Sequence, residues 1–281
     1  MIVDFEALTG LPAKFPAYEV TPLLWREHFE QVAAAVLEYK YADNNAVDVS
    51  GREAVWDRCW ASVRERIKKE NFDLIPPFLQ GQNRLRYEGR YVHATAKLLP
   101  AFHTTLVCAL ANQYFKNCPQ IVELGCGAGF NLHSLAVTGG EGYKFIGLDR
   151  SAEGAAAVNE AGQKLHLPME GLKCGDLRSE RPNYSLTDCG VLTVGAMEQL
   201  GRHWSTLVLA LLMDKPKVVV HVEPIEEFYD EKVELDWLAL RYHKARGYLS
   251  GYLLALRQLQ SQSKIEILKE RRVRFGSQWN D

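Results

Sequence analysis

From Pro119 onwards, short apolar runs alternate with stretches of helical spacing, and this alternation restricts the fold more than any other feature. The apolar runs are "QIVEL", "YKFIGLD", "GLKCGD", "CGVLTVG" and "PKVVVHVEP", and helical patterns such as "AAAVNEAGQKLH" and "WSTLVLALLMD" lie between them. Strands that lack polar alternation are buried on both faces, and their alternation with helices indicates parallel βα units. The sequence therefore predicts an α/β fold with a doubly wound, mostly parallel, Rossmann-like sheet.

The N-terminal part of the chain differs, because helical patterns follow one another there. The pattern "TPLLWREHFEQVAAAVLEYKY" begins with a Thr-Pro pair suited to a helix N-terminus. The next, "GREAVWDRCWASVRERIKKENF", carries Trp56 and Trp60 on one helical face and ends before a Pro-Pro pair that forbids helix. We predict two domains: an N-terminal helical cap or substrate lid of residues 1–115, and a sheet domain of residues 116–281.

Composition narrows the choice of partners. The 281-residue chain is 47% hydrophobic and 24% charged, which suffices for a core, and its net charge is −2. Because both signs are mixed, no partner held mainly through phosphates, such as a nucleic acid, is expected. The start "MIVDFEALTG" lacks the features of a signal peptide, and no apolar run reaches the roughly 18 residues of a membrane span. We therefore expect a cytoplasmic protein without a membrane partner.

Cysteine spacing bears on metal and redox chemistry. The sequence has no Cys-x-x-Cys pair and no Cys/His ligand spacing, which predicts reduced core thiols and no metal site. The six cysteines are Cys59, Cys108, Cys118, Cys126, Cys174 and Cys189.

The stretch "IVELGCGAGFNLHSLA" places Gly125, Gly127 and Gly129 between the first predicted strand and a helix. Ligands of such sheets bind at the carboxyl ends of the strands, where glycine permits positive φ and a helix presents free N–H groups. A dinucleotide fingerprint needs a further glycine where Phe130 stands. Asp149 ends the second strand, 20 residues past Gly129, where a carboxylate can accept both hydroxyls of a ribose. The loop therefore predicts a nucleoside ligand and not a dinucleotide.

A second carboxylate extends this predicted site. Asp176 lies 27 residues beyond Asp149, after the third apolar run, and suits the amino group of an adenine. The ends of the first three strands together predict an adenosine that lies across them. Taken alone, Asp176 could instead be the N-cap of a helix that begins "LRSERP".

Four segments in order, "VELGCGAGF", "FIGLDRS", "CGDLRS" and "VLTVGAMEQLG", resemble the successive motifs of class I S-adenosylmethionine-dependent methyltransferases of the small-molecule type. The resemblance implies S-adenosyl-L-methionine as the cofactor, with Asp149 at its ribose and Asp176 and Leu177 at its adenine. Arg150 stands where the family usually has an apolar residue against the adenine, and a guanidinium can stack there. The residues implied to surround the methionine and ribose are Glu123, Gly125, Cys126, Gly127 and Gly129.

The residues that follow the fourth predicted strand reduce the number of methyltransferase reactions that the sequence allows. The segment "TVGAMEQLG" has no Asn/Asp-Pro-Pro-Tyr motif, no Pro-Cys nucleophile and no terminal aspartate for magnesium. It is similar to methyltransferases that act on small metabolites, which implies an O- or N-methyltransferase with a small polar acceptor. The alternatives are a protein or peptide acceptor, an RNA acceptor, and a non-catalytic module that binds the cofactor to regulate a partner. The oligomeric state stays open.

Candidate catalytic residues follow the last two strands. Glu198 and His203 come after the fourth strand, and His221 and Glu223 end the fifth. We expect Glu198 and Glu223 at the substrate and His203 as proton acceptor, because an unperturbed histidine has a pKa of about 6.5. His221 could instead be a hydrogen-bonded histidine inside a buried strand, His203 could flank the next helix, and Glu198 could contact the cofactor.

Two further segments lead to predictions, one about a lid and one about the end of the sheet. The segment "NRLRYEGRYVH" predicts a mobile lid loop whose Arg90 and Tyr91 reach the methionine end of the cofactor, with a plain exposed basic loop as the alternative. The C-terminal "KIEILKERRVRFGSQWND" offers a sixth strand. Beyond it, either "VRFGSQ" supplies a short seventh strand or the sheet ends early.

Overall fold

The computed structural model describes residues 1–40, 52–70, 72–139 and 142–281. The chain forms two compact units. The first comprises Met1–Asp48, Gly81–Phe102 and Pro224–Asp281, and the second comprises Val49–Gln80 and His103–Glu223. The division therefore differs from the predicted boundary at residue 115. Segments distant in sequence group together, because tertiary packing joins them.

Helices and strands are numbered in chain order. The helices are α1 (Phe5–Thr9), α2 (Trp25–Lys40), α3 (Arg52–Ile67), α4 (Leu98–Tyr114), α5 (Phe130–Thr138), α6 (Ala152–Leu165), α7 (Ser205–Asp214), α8 (Glu234–Arg246) and α9 (Tyr252–Ser261). The strands are β1 (Val20–Pro22), β2 (Arg84–Tyr87), β3 (Arg90–Ala94), β4 (Gln120–Leu124), β5 (Lys144–Asp149), β6 (Met169–Lys173), β7 (Gly190–Val194), β8 (Val218–Val222) and β9 (Phe275–Gly276). Short 3-10 helices span Pro77–Leu79, Met197–Leu200 and Glu226–Phe228.

The second unit is built on a parallel sheet with strand order β6-β5-β4-β7-β8. Each predicted apolar run forms one of these strands, so the predicted α/β, Rossmann-like, mostly parallel fold is confirmed. The chain starts at the central strand β4, adds β5 and β6 on one side, and then adds β7 and β8 on the other. The strand order therefore reverses between β4 and β7, and sheets of this topology usually bind ligands at the carboxyl ends of the strands at such a point.

Helix α3 packs on this sheet unit, whereas the sequence predicted it in a separate cap. Trp60, Val63 and Ile67 form one apolar cluster with Ala157 and Ala161 of α6. The small alanine side chains allow the tryptophan-bearing face of α3 to lie close, which explains the packing. Tyr41 and Gly51, at the adjoining ends of the two predicted N-terminal helices, lie outside the described residues.

The first unit contains an antiparallel sheet of order β1-β3-β2-β9, so the N-terminal segment is not purely helical. The segment predicted to be a mobile loop is the hairpin β2–β3, whose turn residues Glu88 and Gly89 both have positive φ, 48° and 75°. Two successive positive φ angles are typical of the tight turns that match the strand twist. The Thr-Pro pair lies in β1, where Pro22 pairs with Val92, and α2 begins only at Trp25.

The C-terminal segment joins the first unit. Residues 264–268, the predicted sixth strand, do not form a strand. The short strand β9 pairs antiparallel with β2, so the parallel sheet of the described chain ends at β8. Among the described helices, none combines the length and the apolar character needed to cross a membrane.

Candidate functional site

The glycine loop after β4 is held in a conformation that only glycine adopts easily. The φ angles of Gly125, Gly127 and Gly129 are 73°, 52° and 83°. Protein atoms occupy the space that a Cβ would need at each position. An added Cβ would meet Ala196 at Gly125, the Trp60 ring at 2.5 Å at Gly127, and Val158 at 2.9 Å at Gly129. The glycines therefore serve the packing of the loop.

Asp149 ends β5 and ties the loop to that strand. Its Oδ2 accepts the N–H of Gly127 and its Oδ1 accepts the N–H of Ser151, each at 2.7 Å. Burial raises the pKa of this carboxyl to about 6, although the two backbone bonds favour the ionised form. A carboxylate oxygen has two lone pairs, so Asp149 can still accept hydroxyl groups from a ligand.

Glu123 lies at the same edge and is 1% exposed. Its Oε1 accepts the Asn131 amide at 2.7 Å, whereas its Oε2 and the Asn131 Oδ1 have no hydrogen-bond partner among the described residues. Burial and the nearby carboxylates of Asp149 and Glu223 raise the pKa of Glu123 to about 8. Buried acceptors without donors are costly, so this pair suits a cationic or N–H-bearing ligand group.

Asn131 was missed by the sequence analysis. Its signal was a polar residue in the first turn of a helix that also buries Leu132 and Leu135. The loop residue Cys126 is buried beside Gly147, and its thiol donates to the Gly127 carbonyl at 3.5 Å. Burial raises the pKa of that thiol, so Cys126 is a packing residue of the loop.

A chain of charges follows the ends of β5 and β6. Arg150 pairs with Glu53 of α3 at 2.5 Å and with Asp176 at 3.4 Å. Asp176 also accepts two guanidinium nitrogens and the backbone N–H of Arg178, which lower its pKa. Half-buried Leu177 lies in a turn in which Asp176 accepts the Arg178 N–H, and the helix that the capping alternative supposed is not formed there. The predicted contacts of Arg150, Asp176 and Leu177 with an adenine stay predictions.

Glu223 follows β8 and faces the segment after β7. Its carboxylate accepts the N–H of Ala196 at 3.1 Å and the N–H of Glu198 at 3.3 Å. Burial raises its pKa to about 7. Glu223 thus orients the 3-10 helix Met197–Leu200, and Glu198 lies half-buried at the start of that helix, where it accepts the Gln199 amide at 2.9 Å.

The two candidate histidines have different surroundings. His203 is exposed just after the 3-10 helix. His221 lies within β8, where its Nδ1 is 2.8 Å from the Thr193 hydroxyl, and burial lowers its pKa to about 4. His221 therefore has the geometry of the hydrogen-bonded strand histidine named as the alternative.

Arg90 and Tyr91 belong to strand β3 of the first unit. Arg90 is exposed, whereas Tyr91 is 2% exposed in a cluster with Leu235 and Leu238. The Tyr91 hydroxyl donates to the Gln278 carbonyl at 3.3 Å. Their expected place at the methionine end of a cofactor stays a prediction.

Comparison with known proteins found similarity to solved structures at the level of the fold only. No protein-family model and no curated protein matches the chain. A candidate sarcosine dimethylglycine methyltransferase from Galdieria sulphuraria is similar, with 13% identity and a TM-score of 0.45 over 63% of this chain and 66% of the other. An S-adenosylmethionine-dependent methyltransferase from Aquifex aeolicus is 18% identical, with a TM-score of 0.39 over 60% and 86%. The [4+2]-cyclase SpnF is also similar, with 14% identity and a TM-score of 0.39 over 57% and 54%.

Proposed function

We propose that the protein is an S-adenosyl-L-methionine-dependent methyltransferase that modifies an oxygen or nitrogen of a small polar molecule. The observation that carries the proposal is the juxtaposition of Asp149, bonded to the Gly127 amide, with the buried and incompletely bonded pair Glu123 and Asn131. Both features lie at the carboxyl ends of adjacent parallel strands, where sheets of this topology bind ligands.

The residues present fit the parts of such a cofactor. Glu123 Oε2 and Asn131 Oδ1 are acceptors that a methionine ammonium group could bond. The free lone pairs of Asp149 suit the ribose hydroxyls. The Arg150 guanidinium offers a flat face to an adenine, with Asp176 and Leu177 at its edge. In this proposal Gly125, Cys126 and Gly129 shape the loop that the cofactor lies against.

The bound cofactor supplies the activated methyl group, so the protein has to orient the acceptor and receive its proton. Glu223 positions the segment after β7 through two backbone bonds and would fix Glu198 beside the acceptor. His203 follows that segment and would take the proton, because histidine combines basicity with solvent access near neutral pH. The acceptor in this proposal is a small molecule, because the net charge of −2 offers no attraction for a polyanion.

Cofactor binding is the first test. We expect S-adenosylhomocysteine to bind with a Kd of about micromolar order and NAD not to bind, because Phe130 replaces the last fingerprint glycine. Isothermal titration calorimetry of the full chain measures both affinities. Binding of NAD in the absence of S-adenosylhomocysteine binding would contradict the proposal.

Turnover is the second test and separates an enzyme from a non-catalytic cofactor-binding module. The protein is incubated with S-adenosyl-L-methionine carrying a labelled methyl group and with fractionated pools of small metabolites. We expect adenosylhomocysteine to form in step with label in a small-molecule fraction. Cofactor binding without turnover in any fraction would favour the regulatory module, and label in a peptide fraction would favour the peptide acceptor.

A further inference from the structure

One face of α3 carries four residues that contact the predicted cofactor-binding elements. Glu53, Asp57, Trp60 and Arg64 are spaced four, three and four residues apart, which places them on one stripe of the helix. None of them was identified as a site residue from the sequence. All four contact residues that follow β4 or β5.

The first two contacts hold the residues directly after Asp149. The Glu53 carboxylate pairs with Arg150 at 2.5 Å, and the Asp57 carboxylate accepts the Ser151 hydroxyl at 2.5 Å. The Ser151 Oγ also accepts the N–H of Gly154 at 3.2 Å. Because Asp57 accepts its proton, the Ser151 hydroxyl does not donate to the neighbouring Asp149 carboxylate.

The third contact is between Trp60 and the glycine loop. The Trp60 ring fills the space where a Cβ on Gly127 would lie, and it also approaches Gly154 at the start of α6. The amide of the same Gly127 donates to Asp149. Gly127 is therefore held between Trp60 on its Cα side and Asp149 on its N–H side.

The fourth contact anchors the helix. Arg64 pairs with Glu153 at 3.1 Å and with Glu160 at 2.5 Å, both on α6. At the C-terminal end of α3, the Lys164 ammonium donates to the Ile67 carbonyl at 2.6 Å. These bonds fix the rotation of α3 along α6, so the stripe faces the loop and the end of β5.

We propose that Glu53 and Asp57 are positioning residues of a nucleoside subsite, and that α3 forms one wall of it for adenosine-containing ligands. This inference rests on the proposed function. Asp57 keeps the Ser151 hydroxyl away from Asp149, which leaves the lone pairs of Asp149 for a ribose. Glu53 holds Arg150 through the shorter of its two ion pairs, 2.5 Å against 3.4 Å to Asp176, and so fixes the guanidinium that would offer its flat face to an adenine.

The inference is tested by binding of adenosine and of S-adenosylhomocysteine to full-length Glu53→Gln and Asp57→Asn proteins. The matched control is Glu65→Gln, because Glu65 is a carboxylate of the same helix whose ion pair, in the described part of the chain, is with Lys68 on the exposed side. We expect the Kd for adenosine to rise by about tenfold in each variant, since each loses a bond to a charged group. The control should stay within about twofold, as exposed pairs contribute little.

A salt series separates positioning from a general loss of structure. The effect of Glu53→Gln should shrink as the salt concentration rises, because the Glu53–Arg150 pair is partly exposed and therefore screened. A double-mutant cycle of Glu53→Gln with Arg150→Gln should give non-additive changes in the adenosine Kd. Additive changes would overturn the role assigned to Glu53.

Hydrogen exchange of the unmodified protein gives a readout that does not depend on any variant folding. Saturating S-adenosylhomocysteine should slow amide exchange in residues 57–64 of α3, and unchanged exchange would overturn the inference. If Asp149→Asn weakens adenosine binding but Glu53→Gln and Asp57→Asn do not, the inference fails and the proposed function stands. If S-adenosylhomocysteine does not bind the unmodified protein at all, the proposed function itself fails.

Discussion

Replacing Asp149 by Asn tests the site most directly. The Asp149 carboxylate accepts backbone N–H groups from Gly127 and Ser151, both at 2.7 Å, and the residue is 8% exposed. Asp149→Asn keeps the shape of the side chain and removes its charge. It also turns an NH2 group towards one of the two backbone donors, which then loses its acceptor.

Two effects of this change oppose each other in the ligand-free protein. Burial raises the pKa of Asp149 from 3.8 to about 6, so the ionised carboxylate weakens the folded state by about 3 kcal/mol at neutral pH. The substitution removes that penalty, whereas a buried N–H without an acceptor costs about 1–3 kcal/mol. Because the two contributions are similar in size, we expect the thermal midpoint to move by only about a few degrees.

Ligand affinity has no such compensation. A hydrogen bond to a charged acceptor contributes about 1.5–3 kcal/mol and a neutral one about 1 kcal/mol. Because two ribose hydroxyls would each lose a bond to a charged acceptor, the affinity for S-adenosylhomocysteine should fall at least about tenfold. Calorimetry measures this Kd, and differential scanning fluorimetry measures the midpoint without ligand.

Asp214→Asn is the matched control for this experiment. The Asp214 carboxylate also accepts a backbone N–H, from Leu186 at 3.0 Å, but it lies at the end of α7 and before β8, away from the glycine loop. This variant should bind the ligand as the unmodified protein does. An unchanged Kd for Asp149→Asn would show that Asp149 only clamps the loop, and would refute its assignment to the ribose.

Three further predictions concern the same site. Gly127→Ala places a Cβ against Trp60 at a residue with positive φ, and it should lower the free energy of unfolding by about 2–4 kcal/mol. In the control Gly195→Ala the new Cβ has no described atom within 4 Å, so the loss should be about 1–2 kcal/mol. Equal losses in urea denaturation would contradict this prediction. The pKa of Glu123 is raised from 4.5 to about 8, so the folded state binds the proton more tightly and stability should fall as the pH rises from 4.5 through 8. Glu123→Gln should flatten that decline in urea titrations at several pH values, and an unaltered slope would count against a buried, protonated Glu123. His203→Gln should lower kcat about a hundredfold without changing the Kd for S-adenosylhomocysteine, and an unchanged kcat would remove His203 as the proton acceptor.

The sequence alone determined the parallel sheet and the glycine loop. Five short apolar runs separated by helical patterns leave few arrangements other than a doubly wound sheet, and each run contributes a strand in the structure. The three loop glycines adopt positive φ, as their placement between a strand and a helix indicated. Asp149 ends β5 beside that loop as predicted, because the length of a βα unit places it there.

Local patterns did not determine which partner each helix and carboxylate has. Residues 84–94 contain a turn and two strands, yet their hairpin is completed by β1 and β9, whose sequences are distant. Glu223 was expected at a substrate because it ends a strand, and that stays a prediction. Its sequence position did not indicate that two backbone N–H groups of the segment after β7 bond its carboxylate. Hydrogen-bond partners of this kind depend on loops whose paths have no periodic signal.

Helix α3 shows the difference most clearly. Its sequence predicted the helix and a stripe with Trp56 and Trp60, because apolar spacing is local information. The unit on which it packs depends on Arg64 meeting Glu153 and Glu160, which lie 89 and 96 residues further along the chain. The alanines of α6 that make room for Trp60 are equally remote in sequence. Periodicity indicates that one face of a helix is buried. Which element that face packs against depends on complementary shape and charge, and only the tertiary structure decides it.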